Sequence, residues 1–123
     1  MNSVAIENLA QREPIERVHH ALAARLLRSG ITEETRSLPP WQTAHYEWHT
    51  DPFDQSQNLT GIWRDARGDQ VGQIQVMADG RIYAELDVIC NHPTDRRWFV
   101  EAVTAWGSED RIKTELRLLR RAD

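Results

Sequence analysis

A chain of 123 residues with 40% hydrophobic and 28% charged side chains and five tryptophans has the composition of one folded domain, far from that of disordered chains. Its formal charge of −4 argues against a surface broadly matched to phosphate backbones, so nucleic acid is not an expected partner. A single cysteine forms no internal disulfide, no signal-like apolar run follows Met1, and no apolar stretch nears the roughly 20 residues of a membrane span, so a soluble, cytoplasmic protein without a membrane role is expected.

Residues 1–12 show no clean period and are expected to be a loosely ordered lead-in. Pro14 suits a helix start, and Ile15, Val18, Leu22 and Leu26 then recur at spacings of three and four, which predicts an amphipathic helix over 14–29. Gly30 can close it in the left-handed conformation, with Ile31 packing back on the last turn. Of the adjacent His19 and His20, one is expected to pack and the other to be solvated.

After a loop ending at Pro39-Pro40 the period becomes two. Ala44, Tyr46 and Trp48 alternate with His45, Glu47 and His49 in a strand over 41–50. Three more strands, 59–64, 70–77 and 81–90, are separated by turn-rich segments short enough for antiparallel neighbours. Thr94 or Asn91 then caps a second expected helix, whose stripe is Phe99, Ala102, Val103 and Trp106 and whose end is Gly107. The segment 111–120 fits either a strand or a helix, and a strand is favoured.

These elements predict a single α+β domain: a two-layer sandwich of an N-terminal helix, a four-stranded antiparallel meander, a second helix and a fifth C-terminal strand. Its apolar layer is expected to include Ile15, Leu22, Trp48, Leu86, Phe99 and Trp106. The other sheet face then carries Thr43, His45, Glu47 and His49, Gln73 and Gln75, and Tyr83, Glu85 and Asp87.

Three constellations on or near that face can carry chemistry. His45-x-Glu47-x-His49 places three metal-ligand side chains on one side of a strand, although the two histidines lie about 13 Å apart along it, so a divalent metal needs a bend or help from Glu85 or Asp87. Glu85 and Asp87 with Tyr83 are candidate catalytic groups, able to share a proton if enclosed. Trp41, Phe53 and Trp98 fall at an element end, a loop and a helix flank, and are candidates for a ligand or interface surface. Cys90 is in phase with Ile82, Leu86 and Val88 and is expected to be buried and inert, while the basic tail is interleaved with acids as a solvated face is.

No compact catalytic motif stands out, and a solvated sheet face accounts for most of these polar residues. The leading expectation is a non-catalytic binding or assembly module, with a protein partner or self-association and no required cofactor. The alternative is a metal-assisted or carboxylate-based hydrolase on the polar sheet face.

Overall fold

The structure, a computed structural model, describes residues 11–108 and 110–122. Most of the lead-in expected over 1–12 therefore lies outside the described residues. Helix α1 (Arg12–Arg28) and a single 3-10 turn (Trp41–Thr43) precede six strands: β1 (His45–Thr50), β2 (Gln57–Arg64), β3 (Gln70–Val76), β4 (Ile82–Asn91), β5 (Trp98–Ser108) and β6 (Arg111–Arg120). The strands form one antiparallel sheet in chain order. No helix among the described residues is long and apolar enough to cross a membrane.

The helix forms where its apolar spacing requires. Pro14 lies in the first turn, where a missing N–H leaves no intrahelical bond unmade, and Glu13 at the start with Arg25 and Arg28 at the end complement the helix dipole. At the other end Gly30 adopts φ +78°, Ile31 N–H donates to Leu26 O at 2.9 Å and Gly30 N–H to Leu27 O at 3.1 Å. This paired closure turns Ile31 into the core, where it is 3% exposed. Ile15, Val18, Leu22 and Leu26 are buried against β3, β4, β5 and β6, and each such side chain contributes about 1.5–3 kcal/mol.

The expected two-helix sandwich is overturned at residues 98–108. Phe99, Ala102, Val103 and Trp106 do not form a helical stripe; this segment is β5, paired with β4 and β6. A β-bulge between Val100 and Ala102 inserts an extra residue, so Val100, Val103 and Ala105 face the helix at spacings that imitate a helical period. Phe99 and Trp106 are only half-buried and lie outside the core, contrary to expectation. Gly107 is not a helix stop: at φ +145° it opens the β5–β6 hairpin, where an added Cβ would stand 2.0 Å from Arg111 O. The segment 111–120 is the strand β6.

The half of the sheet beyond the helix is covered by the segment between α1 and β1. Tyr46 hydroxyl donates to Trp41 O at 2.8 Å, Trp63 Nε1–H to Pro40 O at 3.2 Å, and His19 Nε2–H to Pro39 O at 2.7 Å. These bonds hold Trp41 in the core at 8% exposure, so it does not supply the exposed aromatic surface expected of it. His20 is exposed while His19 packs 6.1 Å from the Trp63 ring. Tyr46 and Trp63 lie flat over their cross-strand neighbours Gly61 and Gly72.

A Cβ at Gly61 would approach the Tyr46 ring to 2.5 Å. We expect Gly61→Ala to destabilise the protein by about 1–3 kcal/mol through overpacking, measured as a shift in the urea midpoint without a change in slope.

Candidate functional site

Because alternate side chains of a strand point to opposite faces, the helix and the segment after it seal one face and, among the described residues, no element covers the other. Cross-strand pairing sets its rows. One row runs Glu47, Thr60, Gln75, Tyr83, Trp106, Lys113, and the next runs His45, Ile62, Gln73, Glu85, Thr104, Glu115.

The metal-type triplet stays on the β1 edge. Glu47 lies between its neighbours, 3.2 Å from His45 Nε2 and 3.9 Å from His49 Nε2, with both imidazoles exposed. Glu85 is in the same row as His45 but three strands away, about 14 Å at the usual strand spacing. Glu85 and Asp87 therefore do not complete this set, and the five-residue hydrolase constellation divides into two groups. Among the described residues no group of three or more His, Cys, Asp or Glu is placed to hold a metal ion.

The second group is a connected network in the middle of the face. Tyr83 hydroxyl donates to Glu85 Oε2 at 2.9 Å, Arg117 donates to the same oxygen at 3.1 Å, and Arg117 Nε–H donates to Glu101 Oε2 at 3.1 Å. Burial, then the bond to Glu85 and its charge, push the Tyr83 hydroxyl up to about 12. Asp87 makes no hydrogen bond of its own in this network. Burial, then the Glu85 charge, holds its carboxyl above the ordinary range despite Arg36 and Arg117. Such a set can retain a proton on Asp87, but the neighbouring carboxylate that would act with it is already neutralised by Arg117.

A groove of about 520 Å³ opens beside this network, within the usual size of small-molecule sites. Met77, Tyr83 and Trp106 line it together with the cations Arg81, Arg111 and Lys113. Arg81 is held by Asp79 at 2.8 Å, whereas no acidic group among the described residues pairs with Arg111 or Lys113. Of these residues only Tyr83 was singled out by the sequence. Trp106 was hidden by its assignment to a helix, although the alternation Trp106, Thr104 against Ala105, Val103 is the signal that points it outward. Lys113, Glu115 and Arg117 also alternate, and mark the outer side of β6.

The aromatic candidates separate. Phe53 is 95% exposed on the β1–β2 loop, at the same end of the sheet as the groove, whereas Trp98 is half-buried at the opposite end with the Arg120 guanidinium 5.6 Å from its ring. Cys90 is half-buried, packs against the core, and has its thiol raised by burial. Comparison with known proteins gave no matching family model, no similar curated protein and no similar solved structure.

Two titrations check the network. A carboxyl whose pKa is raised by folding contributes its stability below the ordinary value of 3.8 and loses it as pH climbs through the folded value, so ionised Asp87 is a cost at neutral pH. Asp87→Asn is expected to raise the melting temperature at neutral pH, with the gain shrinking as acid protonates the parent. Tyr83 loses its contribution between its ordinary 10.0 and about 12; Glu85→Gln should lower the midpoint of its tyrosinate absorbance, leaving the part due to burial.

Proposed function

We propose that this chain is a non-catalytic binding module that takes up its ligand on the uncovered sheet face, in the groove lined by Tyr83 and Trp106. The observation that carries this is the position of Trp106: a large aromatic side chain left half-exposed on the face away from the helix and outside the core cluster of the described residues. Binding is favoured over hydrolysis because Glu85 is committed to Tyr83 and Arg117, and because the His45 group and the Glu85 group are too far apart to act on one bond. Edge-to-edge assembly is disfavoured by the charged residues along both outer strands, Glu47 on β1 and Lys113, Glu115 and Arg117 on β6. Cys90 has no second thiol to pair with and is half-buried, which fits a reducing compartment such as the cytoplasm.

The test is an amide NMR screen of a mixed fragment set against the purified protein. Hits are expected to shift the amides of Tyr83, Trp106 and Lys113, and Trp106→Ser should abolish them while the amide spectrum of the rest of the sheet shows that the fold is kept, since Trp106 is outside the core cluster. Hits confined to the helix side, or shifts spread over the open face with no dependence on Trp106, would count against the groove. Ile89 and Leu119 are exposed apolar side chains, and Leu119 pairs with the half-buried Phe99, so concentration-dependent shifts at these three without any fragment would instead identify self-association.

A further inference from the structure

The groove has a chemical bias that narrows its ligand. Tyr83, Trp106, Arg111 and Lys113 come from three successive strands, β4 to β6, and Met77 and Arg81 from the turn between β3 and β4. Register brings them together: Tyr83 pairs with Trp106, Trp106 with Lys113, and Ser108 with Arg111. Arg111 and Lys113 are two residues apart on β6, so both stand on the open side about 7 Å from one another, beside the indole.

Charge is what makes this combination informative. The chain carries a net −4, yet here two cations lie beside aromatic side chains without an acidic partner among the described residues. An anionic group would supply the charge-assisted hydrogen bonds that these side chains lack. The positive region is also short. The adjacent row carries Glu85 and Glu115, with Asp87 and Glu101 beyond it; these carboxylates outnumber the one cation among them, Arg117, so the region stays acidic and disfavours a phosphate chain continuing along the face. A strand of nucleic acid needs a basic track several nucleotides long, which is absent from this face.

We propose that the groove is a site for a small planar aromatic anion, its ring stacked on Trp106 and its carboxylate or equivalent group held between Arg111 and Lys113. This rests on the open face being the binding surface, and adds the class of ligand. The flat indole favours an aromatic ring over a saturated one, and the groove volume of about 520 Å³ accommodates a fused bicycle.

The experiment titrates the protein with naphthoate, naphthamide, cyclohexanecarboxylate and inorganic phosphate, following the Trp106 indole N–H and the Lys113 amide by NMR. Naphthoate should move both signals and bind at least about tenfold more tightly than naphthamide or cyclohexanecarboxylate, the scale of one charge-assisted contact, and phosphate alone should move neither. The exposed pair Arg111→Gln and Lys113→Gln together should erase the preference for naphthoate over naphthamide by weakening naphthoate far more than naphthamide, with the amide spectrum of the rest of the fold retained. Trp106→Leu should weaken naphthoate and naphthamide alike. Equal affinity for naphthoate and naphthamide, stronger binding of phosphate, or naphthoate shifts located elsewhere would each overturn the assignment. If neutral fragments occupy the groove but naphthoate does not, the anion is wrong and the open-face site stands; if nothing binds that face, both fall.

Discussion

A helix of 17 residues is about 25 Å long, close to the width of six strands spaced about 4.8 Å apart, yet it has only one apolar stripe with which to cover them. Ile15, Val18, Leu22 and Leu26 bury that stripe against β3 to β6, and this contact fixes which face of the sheet is interior. Every other large feature depends on it. The segment between helix and sheet has to cover β1 and β2 with no more regular structure than the 3-10 turn Trp41–Thr43, and its carbonyls at Pro39, Pro40 and Trp41 are tied down by polar atoms of His19, Trp63 and Tyr46. Two glycines beneath the aromatic rings make room for that cover, because side chains at Gly61 and Gly72 would collide with Tyr46 and Trp63.

With one face sealed, the other receives the remaining polar and aromatic residues, and their order along the strands sorts the charge. Glu47 and the two histidines occupy one edge, a carboxylate cluster neutralised in part by Arg117 occupies the middle of β4 to β6, and the cations Arg81, Arg111 and Lys113 gather at the hairpin end. Antiparallel pairing brings residues distant in sequence into direct contact, such as Glu85 and Arg117 at 3.1 Å. This sorting leaves the groove positive within a chain that is negative overall.

Two irregularities on adjacent strands shape the centre of the face. The register shifts between Asp87 and Cys90 on β4, where Ile89 takes φ +54°, and again between Val100 and Ala102 on β5. A β-branched residue in the left-handed region is a strained choice, and here it leaves Ile89 60% exposed while Val88 and Cys90 stay turned toward the core. The second shift sets Glu101 within reach of Arg117 and puts Ala102 beneath the network, fully buried but outside the main core. Neither bulge has a glycine or proline to announce it, which is why period counting mistook β5 for a helix.

The sequence by itself determined the elements whose period is unbroken: the α1 stripe from Ile15 to Leu26 with its Gly30–Ile31 closure, the alternation of β1 to β4, and the outward set of His45, Glu47, Tyr83, Glu85 and Asp87. Those are local properties, carried by spacing alone. The tertiary structure decided everything that needs pairing. It made 98–108 a strand, because two neighbouring strands satisfy its backbone along its length and a bulge absorbs the extra residue. It drew Trp41 into the core through the hydrogen bond from Tyr46, and it turned Trp106 outward beside Lys113. The groove itself exists only in the register of β4, β5 and β6, and register is a relation between segments that no single stretch of this chain encodes.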